Sequence, residues 1–410
     1  MANYRLNDTD YQAAINAYAE HDGNQVQAAK SLNLPRATFQ TRLREAQRNG
    51  FKPGGKTKGN PDDPQVLRGR VKRLEDELRI YERQTGHDKV IEGLIGGLVE
   101  KVRNYDPPEW TLSAARPAGS PGVPTLFLSD LHWGEVVFPS QINDVNEYNL
   151  RIAKKRLRKA VERAIHLLGI IDPKMNYPGI VLPLGGDMIS GDLHDELTAT
   201  NELPSIPAVV DLFGELVQTV KILAEQFGAV FLPCVTGNHG KNTRKIWAKS
   251  RHHTSFDWML YQFLAKHFIG DKRITFFVPD GIAAHYKIYG HRYRLSHGDK
   301  LGKGGDGIIG AIGPIIRGDQ RTRSRDAQID LGYDTQIIGH WHQYMHLTRV
   351  IVNGSLKGYD EYANVEGFPF EEPQQALWLT HPRNGITYRM PVFVGEKQQA
   401  AETSWVSVPK

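Results

Sequence analysis

Ile180-Val181-Leu182-Pro183-Leu184-Gly185-Gly186-Asp187 passes from an unbroken apolar run into two glycines and a carboxylate. A short apolar run closed by glycine reads as a buried strand. The acid behind it then stands just past the strand's carboxyl end, where open α/β sheets carry their functional groups. The same grammar recurs on both sides. Thr125-Leu126-Phe127-Leu128 ends at Ser129-Asp130-Leu131-His132, Ala229 to Thr236 ends at Gly237-Asn238-His239, and Gln336-Ile337-Ile338 ends at Gly339-His340-Trp341-His342, with Ser296-His297-Gly298 before it. Between these runs Glu147 to Ile170, Pro207 to Phe227 and Thr254 to Phe268 have helical periodicity. Strand and helix alternate, the order of an α/β domain.

Carboxylate, imidazole and amide groups delivered from separate strand ends can hold two divalent ions close enough to clamp one phosphate group. Singly these motifs are weak, because with 16 histidines in the chain any one of them is more often structural than ligating. Five in fixed order, each at a strand end, resemble the calcineurin-like metallophosphoesterase family over about residues 124–360. The resemblance implies a two-sheet β-sandwich flanked by helices. It also implies that Asp130, His132 and His342 hold a first metal, that Asn238, His297 and His340 hold a second, and that Asp187 bridges both. His239 is then the candidate for the proton owed to the leaving oxygen. Two departures bear on substrate. Many family members carry Asp or Glu after this histidine, where this chain has Gly240, and the protein-phosphatase branch carries Asp-Arg-Gly where this chain reads Asp187-Met188-Ile189-Ser190-Gly191-Asp192. The second departure argues against a phosphoserine phosphatase.

Ahead of this domain, residues 1–52 read as a small all-α helix-turn-helix domain, with helices over Asp10 to His21, Asn24 to Leu32 and Pro35 to Asn49. Val26, Leu32, Leu34, Phe39 and Leu43 supply the inward face, and Asn24 and Asn33 the turn chemistry. Gln27 to Glu45 resembles the DNA-binding end of Fis-type proteins and of many phage and transposase domains. The resemblance places Arg36, Thr38, Gln40, Thr41, Arg42 and Arg44 outward on a recognition helix. The plainer alternative is a helical bundle with a solvated basic face. Residues 53–65 form a Gly/Pro linker. In 66–104 a helical connector carries Leu67, Val71, Leu74, Leu78 and Tyr81 at coiled-coil spacing, either a homo-oligomer seam or one amphipathic helix. A second linker spans 105–123, the catalytic domain 124–395, and a polar tail 396–410. Gln375 to Thr380 and Gly385 to Val394 read as two strands joined at Asn384-Gly385 that complete the sandwich's second sheet.

Net charge is +5 with pI near 9.0, and residues 1–60 alone hold nine Lys/Arg against five Asp/Glu. That permits nucleic-acid contact without proving it. The single cysteine, Cys234, lies in an apolar run and excludes an intrachain disulfide. No signal-peptide core or membrane span is legible, so the expectation is a cytoplasmic protein. After His297 a glycine-rich segment holds Lys300, Lys303, Arg317, Arg321, Arg323 and Arg325, an expected basic lid or substrate groove. The leading expectation is a metal-dependent phosphodiesterase acting on DNA, a nuclease using two divalent ions, manganese first, with iron, zinc or magnesium as alternatives. Two other functions stay open. One is a phosphatase or small-molecule phosphodiesterase with a helical assembly domain; the other is a DNA-binding scaffold protein with a vestigial fold.

Overall fold

A computed structural model describes residues 8–54, 108–112, 119–192, 195–243, 248–302 and 312–396. The chain divides into two units, Met1–Leu94 and Ile95–Lys410. The expected connector of residues 66–104 lies outside the described residues, as does Lys303.

In the first unit α1 (Asp8–Glu20), α2 (Gln25–Ser31) and α3 (Arg36–Arg48) close around Ala14, Ile15, Ala17, Ala28, Ala29, Phe39, Leu43 and Ala46. Small residues at the crossings let the short helices approach closely. The Asn24 side chain caps α2 by accepting from the backbone N–H of Val26 and Gln27, and Asn33 takes φ +53° in the turn before α3. Two expectations fail. Val26 is 42% exposed, outside the core it was assigned to. Gln40 and Arg42 do not face freely outward: Gln40 Nε2 donates to Gln25 Oε1 at 2.8 Å, and Arg42 pairs with Asp10 at 3.1 Å. The exposed face of α3 carries Arg36, Thr38, Thr41, Arg44 and also Arg48.

The second unit, among the described residues, contains two mixed sheets. The first orders as β11-β10-β1-β2-β3-β4, with β1 Val123–Phe127, β2 Ile180–Val181, β3 Val230–Pro233, β4 Ile274–Phe277, β10 Gln374–His381 and β11 Gly385–Phe393. The second orders as β5-β6-β7-β9-β8, with β5 Ala283–Ile288, β6 His291–Ser296, β7 Thr335–Ile338, β8 Met345–His346 and β9 Val350–Val352. Its helices are α4 Glu109–Leu112, α5 Leu150–Ile171, α6 Asp195–Thr200, α7 Ser205–Phe227, α8 Phe256–His267, α9 Ile312–Ala327 and α10 Glu361–Val365. Among the described residues no helix is long and apolar enough to cross a membrane.

Period-two alternation explains the layers. Leu126 and Leu128 enter a core shared with Leu212, Leu216 and Leu223 of α7, whereas Phe127 enters a core shared with Tyr286, Tyr293 and Trp378. Strand β1 is therefore buried on both faces, Thr125 included. The β10–β11 hairpin turns at Gly385 as expected but joins the first sheet, pairing antiparallel with β1 through Leu126↔Leu377. Alternation announces a strand without naming its neighbour, and here the neighbour is β1. The expected lid after His297 is also revised, since its second half is helix α9.

Candidate metal centre

Strand pairing continues past the strand ends and sets the loops side by side. Parallel bridges join Leu128 to Leu184 and Leu184 to Cys234. Beyond them the Asp130 N–H donates to Gly186 O and the His132 N–H to Asp187 O, each at 3.1 Å. The ligand-bearing turns are sharp: Asp130, His132, Asp187, His340 and His342 have φ of +54°, +47°, +50°, +69° and +52°. Left-handed conformations are uncommon for such residues and are stored where surrounding bonds hold them. Two glycines permit the crowding. A Cβ on Gly237 would lie 2.0 Å from Asp187 Oδ1, and one on Gly339 would lie 2.2 Å from Asp130 Oδ2.

The structure brings together all the ligands read from the sequence. Potential donor atoms of Asp130, His132 and His342 converge, as do those of Asp187, His297 and His340, and those of His132, Asp187 and His239. His132 Nε2 and His342 Nε2 face each other at 3.1 Å, and His342 Nε2 is 3.4 Å from Asp130 Oδ1. His297 Nε2 lies 2.9 Å from Asp187 Oδ2 and 3.0 Å from Asn238 Oδ1. Asp187 Oδ1 accepts the backbone N–H of Asn238 and of His239, both at 2.7 Å. Asp130 is fixed in turn: Oδ2 accepts from Ser129 Oγ at 2.5 Å, which accepts from Asn353 Nδ2 at 2.9 Å, and Oδ1 accepts the His340 N–H at 2.9 Å.

Electrostatics suit cations. Burial, reinforced by Lys357 and His239, lowers the His132 pKa to about 4, and burial followed by His297 does the same to His340. Both rings are therefore neutral at ordinary pH, the form that ligates. Burial would lower His297, but the Asp187 carboxylate at its Nε2 raises it to about 10, so without an ion a proton stands where a cation would replace it. The His297 Nδ1–H donates to Gly185 O at 2.9 Å, so its Nε2 is left to face the oxygens. Two imidazole nitrogens facing each other beside Asp130, and a third facing a carboxylate and an amide oxygen, make donor sets that fit two divalent ions with nitrogen and oxygen ligation. His239 donates Nδ1–H to Ser190 O at 3.0 Å, which turns its Nε2 toward the cluster.

Supporting residues absent from the sequence reading complete the site. Asp257, fully buried in the first turn of α8, accepts the backbone N–H of Asp187, Met188 and Gly237 at 3.0, 3.1 and 2.9 Å. Burial first, then the Asp187 carboxylate, raises its pKa to about 6. A Cβ on Gly240 would lie 2.9 Å from Asp257 Oδ1, so a buried carboxylate from another element stands beside the position where the sequence lacks one. Glu135 Oε2 stands 3.0 Å from His132 Nδ1, while Oε1 accepts from Lys357 Nζ at 2.7 Å; Lys357 also pairs with Asp360, and all three side chains are buried. Buried Arg251 donates to Gly237 O at 2.8 Å and pairs with Asp299 at 3.1 Å. No motif announces these groups, since an acid in a first helical turn or a charge in a loop is ordinary in sequence.

The expected groove residues divide. Arg317 and Arg321 line, with Leu301, Gly302, Pro314 and Gln320, a surface groove of about 480 Å³. Lys300 pairs with Asp299 at 3.0 Å. Arg323 stacks 4.2 Å over the Tyr333 ring and pairs with Asp319, and Arg325 pairs with its neighbour Asp326 at 2.6 Å, so both already have acidic partners. The basic face of α5 is likewise occupied, with Lys154 on Asp211 and Arg158 on Glu215.

No family model matches the chain, and no curated protein matches it. Among solved structures it is similar to a dimetal phosphatase from Danio rerio, with 11% identity over 67% of this chain and 100% of that one and a TM-score of 0.34. It is also similar to the phosphopantetheinyl hydrolase of Mycobacterium tuberculosis, with 11% identity over 60% of this chain and 93% of that one and a TM-score of 0.23.

Proposed function

We propose that the chain is a two-metal phosphodiesterase that acts on DNA. The observation that carries the reading is the convergence of Asp130, His132 and His342 with Asp187, Asn238, His297 and His340 at adjoining strand ends, Asp187 reaching groups of both sets. Asp130, His132 and His342 would hold the first ion and Asn238, His297 and His340 the second, with Asp187 placed between the two sets. Bound divalent ions, manganese in the first instance, supply charge to phosphate oxygens and lower the pKa of water.

The chain's own groups do the rest. Asp257 and the Asn238 and His239 amides fix Asp187, Ser129 fixes Asp130, and Gly185 O fixes the His297 tautomer. His239, oriented by Ser190 O, holds or moves a proton at Nε2 beside the leaving oxygen. Hydrolysis adds water at phosphorus and breaks one phosphorus–oxygen bond, and the departing oxygen takes that proton. DNA as substrate is supported by the three-helix front unit with Arg36, Thr38, Thr41, Arg44 and Arg48 exposed on α3.

Purified full-length chain with manganese, labelled DNA and bis(p-nitrophenyl) phosphate tests this. Cleavage of both is expected. Intact DNA beside a hydrolysed small diester would reject the nuclease reading, and neither substrate being cut would reject the enzyme.

A further inference from the structure

Glu135 closes a tight turn behind the metal centre. Gly134, at φ +93°, lets the chain fold back, so that the Glu135 N–H donates to His132 O at 3.1 Å and the carboxylate returns to the His132 ring. His132 Nε2 faces His342 Nε2 and the first ligand set, which leaves Nδ1 as the nitrogen that carries the proton when the ring ligates. Glu135 Oε2 lies 3.0 Å from that Nδ1. An acceptor in this place fixes both the tautomer and the rotation of a ligating imidazole.

The same oxygen has a second neighbour. Ser190 Oγ donates to Glu135 Oε2 at 3.1 Å, and the Ser190 carbonyl is the group that accepts the His239 Nδ1–H at 3.0 Å. Glu135 is thus one hydroxyl away from the residue that aims His239. The two turns are also paired through their backbones, with the Ser190 N–H donating to Trp133 O at 3.1 Å beside the parallel bridge of Trp133 to Ile189. The His132 and His239 rings meet edge to face, their centroids 4.5 Å apart, so a rotation of either crowds the other. On its far side Glu135 is held by Lys357, whose Nζ donates to Oε1 at 2.7 Å and also pairs with Asp360. Glu135, Ser190 and Lys357 are all buried. With Oε1 tied to the ammonium group, Oε2 is the oxygen turned to imidazole and hydroxyl.

We infer that Glu135 is a positioning residue for two imidazoles with different tasks: for His132 directly, as a ligand of the first ion, and for His239 through Ser190, as the group that holds a proton beside the leaving oxygen. The inference rests on the two-metal reading above and is independent of DNA as the substrate. First-ion affinity and delivery of the proton then depend on one carboxylate that belongs to none of the ligand sets. Glutamine would keep the shape and lose the role. Its single oxygen, turned to Lys357, sets the amide hydrogens against the His132 Nδ1–H; turned to His132, it sets them against the ammonium group.

The test uses the full-length protein as wild type, Glu135→Gln, Ser190→Ala and the double variant. Manganese binding is measured by equilibrium dialysis, and hydrolysis is followed on bis(p-nitrophenyl) phosphate and diphenyl phosphate. Phenolate needs a proton on departure more than nitrophenolate does, so the ratio of the two kcat values reports the placement of His239. Glu135→Gln should weaken one bound ion about 10–100-fold and leave the other near its wild-type affinity, whereas Ser190→Ala should keep both ions. At saturating manganese the ratio of kcat on diphenyl phosphate to kcat on the nitrophenyl ester should fall about tenfold in each single variant and no further in the double variant, because Glu135 reaches His239 through Ser190. A merely structural effect weakens both ions alike and slows both esters in proportion, and that result overturns the inference. So does manganese binding that Glu135→Gln leaves unchanged, or a ratio whose losses add in the double variant. If Glu135→Gln does not fold, Ser190→Ala still decides the link to His239, since an unchanged ratio in that variant overturns it. Wild-type protein that binds no manganese and cuts neither ester overturns the two-metal reading itself.

Discussion

Asp257 shows how much one unannounced side chain can carry. Its two oxygens satisfy three buried backbone N–H groups, those of Asp187, Met188 and Gly237, on the two loops that present Asp187 and Asn238. Replacing it with alanine strands all three donors, and an unsatisfied buried donor costs about 1–3 kcal/mol. Asp257→Ala should therefore lose several of those increments in urea denaturation, whereas Asp257→Asn, which keeps one acceptor oxygen, should lose less; equal losses would mean that the hydrogen bonds are not what matters. Gly237 makes a complementary point about space. With Asp187 Oδ1 only 2.0 Å and Asp187 N 2.3 Å from where a Cβ would sit, Gly237→Ala must push Asp187 out of place. Metal affinity should fall by about 10–100-fold, the range seen when ligand supports are disturbed. Counting bound manganese after equilibrium dialysis decides it, and two ions retained at unchanged affinity would show that Asp187 tolerates the shift.

Elements assemble the centre by binding loops to one another. The loop after β1 supplies Glu135, the segment after β9 supplies Lys357, and the N-cap of α10 supplies Asp360, which accepts the Ala363 N–H at 2.7 Å. Burial works against Lys357's charge, yet Asp360 and Glu135 hold its pKa above the usual lysine range. Lys357→Met leaves two buried carboxylates without a cation and should cost about 3–5 kcal/mol in thermal or urea unfolding. Adding Glu135→Gln should recover part of that loss if the two groups are coupled; strict additivity would separate them. The strand-end motifs were legible because metal ligation demands those residue types at those places, and Asn24 and Asn33 because caps and turns demand theirs. Lys357, Arg251 and Asp257 were not, since their roles depend on what tertiary packing sets against them. Helix α9 was obscured by Gly313 and Gly318, although Gly318 is where the helix meets Leu301, whose carbonyl oxygen lies 2.2 Å from a would-be Cβ. Hairpin β10–β11 was legible as strands, but its pairing with β1 is a contact across some 250 positions that alternation does not encode.

At the scale of the whole molecule, the proposed reading assigns capture to the first unit and cutting to the second, so the two should come apart under different treatments. Chelation with EDTA removes the ions that Asp130, Asp187 and their imidazole neighbours would hold, while the exposed cations of α3 have no metal to lose. Hydrolysis should therefore cease in EDTA with duplex affinity nearly unchanged. Arg44→Ala combined with Arg48→Ala should do the opposite. These two arginines lie on the exposed side of α3, away from the Phe39, Leu43 and Ala46 face that packs inward, so their loss leaves the core of the first unit intact. If each neutralises one phosphate, the slope of log K against log salt should flatten by about 0.9 per arginine. Turnover of bis(p-nitrophenyl) phosphate by the same double variant reports whether the metal centre survives. Affinity that collapses in EDTA and ignores the arginines would place DNA capture at the metal centre, and the front unit would then need another role, the assembly function kept open from its helical composition. Affinity that follows the arginines and ignores EDTA makes α3 the element that finds the duplex.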